Sequence, residues 1–154
     1  MDKKRVSINI RKGKAYIPTL ARTELGVYIT VDPVYTVDLN IGNLTQIIEK
    51  VLKTGNPRIP HPTREELSHL PDPVLKAAKV SSWKKLAEGG ATYSISQQDE
   101  GFDLEFYKKD EKGRFITDTS KTRRFPLGTE LKEIITIILE DVNSHSEFDK
   151  RNKK

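Results

Sequence analysis

The chain has 154 residues, 35% hydrophobic and 32% charged, and its 27 Lys and Arg against 22 Asp and Glu leave a formal net charge of +5. That length suffices to bury roughly two thirds of the surface an unfolded chain would expose, so a self-sufficient core is expected. The complete lack of cysteine excludes disulfides, thiolate nucleophiles and thiolate metal sites and fits a reducing compartment, and no run approaches the ~18 apolar residues needed to cross a bilayer. The opening residues Met1 to Arg5 lead into alternation and not into a continuous apolar stretch, so no signal peptide is expected and the protein is placed in the cytoplasm.

Val6, Ile8 and Ile10 alternate with polar residues, and Lys12-Gly13 turns the chain into Ala15, Tyr16 and Ile17, a first hairpin. Pro18 should weaken the second strand or put it at an edge. Residues 27–31 are dense in β-branched and aromatic side chains, and Asp32-Pro33 is expected to break that strand before another over residues 34–39. Asn43 suits a helix N-cap with Gln46 as its capping-box partner; the stripe Leu44, Ile47, Ile48, Val51 and Leu52 follows, and Gly55 ends the helix.

Pro57, Pro60, Pro62, Pro71 and Pro73 forbid a long helix or central strand in the next stretch, which reads as a connector. Within it, Thr63 and Glu66 make a capping box, Asp72-Pro73 is an N-cap followed by proline, and Ser82 caps a turn through Trp83 and Leu86 that Gly89-Gly90 stops. Trp83 is expected to pack these short helices onto a sheet. A meander then runs through residues 92–96, then Phe102, Leu104 and Phe106, then Phe115 and Ile116, with turns at residues 97–101 and 110–113. Residues 123–127 lead to Gly128, and Thr129 is read as the cap of a last helix with the stripe Leu131, Ile134, Ile135, Ile138, Leu139 and Val142.

The two helical stripes repeat at an offset of 87 residues, each after a run of strands. The fold expected is α+β: two strand-rich meander units, about 5–55 and 91–143, each followed by an amphipathic helix and joined by a proline-rich connector, 56–90. The helices should pack on a mostly antiparallel sheet, with both long ones on one face. A single domain over residues 1–154 with basic tails at 1–5 and 147–154 completes the expectation.

No constellation carries catalysis. His61, His69 and His145 lack the one-turn spacing of a zinc-binding helix. Ser144-His145-Ser146 sets hydroxyls beside an imidazole without a third group to orient it. The glycines are isolated turn residues, and pairs such as Glu65-Glu66 sit where solvated charge is ordinary. No catalytic, cofactor or metal residue is named, no cofactor is expected, and the protein is read as a non-enzyme.

Charge is more informative by location. Residues 1–5 hold three bases and one acid and residues 147–154 four bases and two acids, leaving 20 bases against 19 acids between them. The body is nearly neutral, which argues against nucleic acid as the main partner, since phosphate neutralisation needs a basic face. Locally, Asp99, Glu100, Asp103, Glu105, Asp110 and Glu111 face only Lys108 and Lys109, while Lys112, Arg114, Lys121, Arg123 and Arg124 face only Asp118. These opposite runs can pair across adjacent strands. Alternatively, the six acids present carboxylates to a basic protein partner.

The segment "PHPTREEL" at residues 60–67, "VLKAAKVSSWKKLAEGGATYSI" at 74–95 and "PLGTELKEIITIIL" at 126–139, in this order of elements, resemble the contact-dependent growth-inhibition immunity proteins. The resemblance covers nearly residues 5–142, and its most specific part is residues 79–91 around Ser82-Trp83-Lys84. It implies an α+β protein without catalysis that binds the toxic C-terminal domain of a large exported protein, often a nuclease, and neutralises it. The cognate toxin domain is then the partner and the six acids the candidate contact surface. The net basic charge departs from the acidity expected of a nuclease inhibitor. The runner-up is a nucleic-acid module using Lys112, Arg114, Arg123 and Arg124. An exposed edge at the first or third strand could also pair with another chain; oligomeric state is not fixed by the sequence.

Overall fold

A computed structural model describes residues 3–69 and 72–144. The expectations placed on the C-terminal tail, on Met1 and Asp2, and on His145 fall outside these residues. The first hairpin joins β1 (Lys4–Arg11) to β2 (Lys14–Thr23) and is followed by β3 (Tyr28–Asp38) and α1 (Ile41–Thr54). The connector holds β4 (Arg58–Ile59), α2 (Arg64–His69), α3 (Pro73–Ala78) and α4 (Trp83–Ala87). The second unit is β5 (Gly90–Gln98), β6 (Gly101–Lys109), β7 (Phe115–Thr117), β8 (Arg123–Pro126) and α5 (Leu131–Ser144).

All eight strands share one sheet in the order β3-β2-β1-β5-β6-β7, with β4 also on β2 and β8 also on β6. Only the β2–β4 pairing is parallel. The units meet where β1 pairs antiparallel with β5 over its whole length, from Lys4↔Gln97 to Arg11↔Gly90. Each unit continues outward in the same chain order and returns a long helix, so the topology is that of a pseudo-twofold about the β1–β5 seam.

Alternation decides the two faces. Val6, Ile8 and Ile10 of β1, Ala15 and Ile17 of β2, Ala91, Tyr93 and Ile95 of β5, and Leu104 and Phe106 of β6 form one buried cluster with Leu44, Ile48, Val51 and Leu52 of α1 and Ile134, Ile135, Ile138 and Val142 of α5. Both long helices therefore cover one face, and they touch each other. Each fully buried Ile or Leu there contributes about 1.5–3 kcal/mol. Of the short helices, α3 packs on β2 and β3 and α4 on β5, and their buried Val74, Leu86 and Ala87 lie outside that cluster. A Cβ on Gly90 would stand 2.2 Å from the Leu86 carbonyl, so this strand and the end of α4 can approach only with glycine here. Trp83 links two of these helices, donating from Nε1 to Asp72 Oδ2 at 2.7 Å, while Oδ1 of the same Asp72 caps α3.

Pro18 weakens β2 on one side as expected, since the ladder with β1 ends at Tyr16, two residues before the proline, although pairing with β3 carries the strand on past it. Three local expectations are corrected. Asp32-Pro33 does not break β3; the two residues form a bulge, with Val34 opposite Pro18 and Val31 opposite Thr19. The cap of α1 is Asn40, whose side chain accepts from Asn43 N at 2.8 Å, because the chain turns directly out of β3 with Leu39 N bound to Gly13 O. Thr129 does not cap α5, since its hydroxyl donates to Pro126 O. The Thr63–Glu66 capping box forms in both directions, at 2.9 and 3.1 Å, and the Ser82 cap forms as well.

Candidate protein-binding surface

Strand β6 carries Asp103, Glu105 and Tyr107 on the face opposite Leu104 and Phe106. There they meet a polar network on the second face of the sheet. The guanidinium of Arg5 donates to Glu105 Oε1 at 2.8 Å and to the Tyr107 hydroxyl at 2.9 Å, and Ser94 donates to the same Glu105 oxygen. Asn9 and Thr92, both buried, bond each other across β1 and β5. Asp103 accepts from Gln98 at 3.1 Å and pairs with Arg124 Nε at 3.3 Å across β6 and β8. Opposite charges on neighbouring strands thus pair as the sequence suggested.

The six candidate acids do not form one patch. Asp99 and Glu100 lie exposed in the β5–β6 turn, whereas Asp110 and Glu111 lie in the β6–β7 turn at the other end of a nine-residue strand, about 30 Å away. Asp103 and Glu105 sit between, half-buried and engaged. Asp110 is also engaged: its carboxylate accepts from the backbone N–H of Arg114 and of Lys112 and pairs with Arg114 Nε at 3.0 Å. The Arg114 N–H first, aided by these other donors, holds that carboxyl below the usual aspartate range. Asp99, Glu100 and Glu111 remain as the exposed members.

The basic quartet is divided in the same way. Lys112 and Arg114 flank the β6–β7 turn, and Arg123 and Arg124 lie on β8 toward the other end of β6. Arg114 and Arg124 are bound to acids of the same chain, and Arg123 lies 5.2 Å over the Phe125 ring. His61 Nδ1 is 3.0 Å from Thr23 Oγ1, and His69 is exposed on α2. Among the described residues no three His, Asp or Glu side chains are placed to hold a metal ion.

Two features escaped sequence reasoning. The first is a cleft of about 590 Å³ between α5 and the β7–β8 loop, lined among others by Phe106, Lys121, Arg123 and Asp141. Beside it the Tyr93 hydroxyl donates to Asp141 Oδ2 at 2.6 Å, and burial, then the aspartate, pushes the phenol well above its ordinary pKa. Tyr93 is therefore a structural hydrogen-bond donor, edge-on to Phe106 with ring centroids 5.7 Å apart. The second is at the end of the sheet where β1, β3 and β6 start and β2, β4, β5 and β8 finish. Exposed Leu25, Val27 and Leu127 all lie there. Apolar Leu25 and Val27 flanking the turn glycine Gly26 were the available signal, since such turns are ordinarily polar.

No protein-family model and no curated protein sequence matches the chain. Solved structures do match in fold, two of them as follows. One is a protein of unknown function from Neisseria meningitidis, with a TM-score of 0.62 at 10% identity over 88% of this chain and 90% of that one. The other is a chain of the CdiA-CT/CdiI toxin and immunity complex from Yersinia pseudotuberculosis, with a TM-score of 0.60 at 8% identity over 91% of this chain and 97% of that one. At these identities the likeness establishes a shared fold alone. Among the described residues no helix is long and apolar enough to cross a membrane.

Proposed function

We propose that this chain is an immunity protein that binds the toxic C-terminal domain of a large exported growth-inhibition protein, a nuclease in our reading, and neutralises it in the cytoplasm without catalysis. The observation that carries the proposal is the fold shared with a chain of a toxin and immunity complex across 91% of this chain and 97% of that chain. The sequence resemblance in the connector and at the helix ends supports it independently. Polar groups on the sheet's second face are bound to one another, as suits a rigid surface for recognition. Of the acids first singled out, Asp99 and Glu100 are the pair whose exposure suits contact with a basic toxin, with Asp103 and Glu105 holding the strand behind them.

The test is growth rescue. The chain is co-expressed with the C-terminal domain of the large protein encoded immediately upstream in its own genome, and each is also expressed alone. Rescue with a stable 1:1 complex is expected. Lethality of the toxin domain that a folded copy of this chain fails to relieve overturns the proposal, and growth arrest by this chain alone would assign it the toxin's role. A shift of RNA or DNA by residues 6–146, with both tails removed, would favour the nucleic-acid module instead.

A further inference from the structure

The nearly neutral body of the chain is unevenly charged. At the end of the sheet where β1 and β6 finish and β2, β5 and β7 start, residues 11–14, 38, 84–90 and 108–115 hold nine Lys and Arg against four Asp and Glu. Lys121, Asp118 and Asp141 line the adjoining pocket, and with them included the excess is still four bases. Three of the four acids are consumed within the chain, Asp38 by Lys14, Glu88 by Lys85 and Asp110 by Arg114. Among the described residues Arg11, Lys12, Lys84 and Lys112 pair with no carboxylate. Lys12 is exposed on the two-residue β1–β2 turn, and Lys112 is exposed on the β6–β7 turn two strand spacings, about 10 Å, across the sheet. Lys84 of α4 joins that second turn, its Cγ 3.5 Å from where a Cβ on Gly113 would stand. Arg11, on the last rung of β1 between Lys14 and Gly90, is half-buried, and its Nε is closed off from solvent with no hydrogen-bond partner.

We infer that this basic end is a docking surface for an acidic segment of the protein partner, which sets one carboxylate on Arg11 and others against Lys12, Lys84 and Lys112. Charge complementarity selects the occupant, because the excess of bases persists after every acid at this end is counted. Arg11 supplies the fixed point: a guanidinium donor shielded from water without an acceptor is costly, and a carboxylate approaching side-on takes Nε and one terminal N–H together. The three lysines, flexible point charges around it, add attraction without demanding one geometry. Single-stranded nucleic acid fits less well, because it wants exposed rings to stack on, and the aromatics here, Trp83 and Phe115, are half-buried. The exposed acids Asp99 and Glu100 lie at the opposite end of β6, about 30 Å away, so a partner lying along that strand meets opposite charges at its two ends and docks in one orientation. The inference rests on the immunity reading for the identity of the partner and adds to it an acidic contact on that partner.

The probe is the toxin domain used for rescue, titrated into purified full-length protein by calorimetry. Lys12→Glu combined with Lys112→Glu should weaken binding at least about tenfold, and Lys84→Glu should weaken it further, since each reversal turns an attraction into a repulsion. Wild-type affinity should fall with added salt, and that of the double variant should change less. Lys53→Glu combined with Lys132→Glu makes the same change in net charge at the opposite end of the sheet, where Lys53 lines a recess with Gln97 and Leu131, and should bind within about twofold of wild type. All five lysines are exposed, so thermal midpoints should stay near wild type. Arg11→Gln should also weaken binding; if it unfolds, the lysine variants decide the matter. Wild-type affinity in the Lys12 and Lys112 double variant, or equal losses in both double variants, overturns the docking surface and leaves immunity standing. Binding of a labelled single-stranded RNA that the Lys12 and Lys112 changes abolish, with toxin affinity unchanged, overturns the acidic partner in favour of nucleic acid. Absence of wild-type toxin binding, with both proteins folded, overturns the immunity reading and this inference with it.

Discussion

Replacing Asn56 should open the sheet between β1 and β2. In the register set by Asn9↔Tyr16 and Ile10↔Ala15, Arg5 falls opposite Leu20, yet the ladder ends at Asn9↔Tyr16. The Asn56 side chain fills that gap: Oδ1 accepts from Arg5 N, and Nδ2 donates to Arg5 O and to Leu20 O, each at 2.9 Å. It thus stands in for the missing strand-to-strand bonds beyond Pro18. Asn56→Ala removes three hydrogen bonds and leaves three part-buried backbone groups without that partner, a loss of about 3 kcal/mol at about 1 kcal/mol each, or about 6–12 °C in thermal midpoint for a chain of this length. Asn56→Asp is the sharper variant, because its second oxygen would face two carbonyl oxygens. Its folded-state pKa is then raised. Stability is present below the unfolded value, about 3.9, and is lost as pH rises through the folded one. At pH 7 Asn56→Asp should be at least as unstable as Asn56→Ala, and it should close on wild type in acid. Urea unfolding at unchanged slope measures both; a loss under about 1 kcal/mol for Asn56→Ala, or wild-type stability of Asn56→Asp at pH 7, refutes the reasoning.

Gly101→Ala should cost more than about 2 kcal/mol, because φ is +134° and the new Cβ would meet Phe125 O at 2.0 Å and Pro126 C at 2.8 Å, backbone atoms that cannot swing aside; thermal unfolding near wild type would show that β8 is free to shift. Asp110 has its folded pKa lowered, first by the Arg114 N–H, so its contribution to the β6–β7 turn is present above the ordinary carboxylate range and lost as pH falls through the lowered value. The amide resonances of Lys112 and Arg114 should report that titration by NMR with a midpoint below the ordinary aspartate pKa. A midpoint at or above it would mean that these hydrogen bonds do not form in solution.

The sequence by itself determined the elements whose signals are local. Both amphipathic helices, the Thr63–Glu66 box, the Asp72 and Ser82 caps and the alternation of β1 and β6 follow from side-chain periodicity and cap chemistry within a few residues, and all appear in the structure. Even the opposition of acidic and basic runs was legible, because Asp103 and Arg124 lie on strands the meander makes neighbours. Tertiary structure decided what depends on partners distant in sequence. Pro18 stays inside a strand because Asn56, 36 residues from Leu20, supplies the bonds lost beside it. Asn40 is chosen over Asn43 as a cap because Leu39 is held by Gly13 across the first hairpin. The six acids separate into two ends and a middle because a strand of nine residues is rigid and nearly 30 Å long. Local propensity names residues that can form an element or carry a charge; burial and pairing with distant strands decide which of them are consumed inside the fold and which are left to meet a partner.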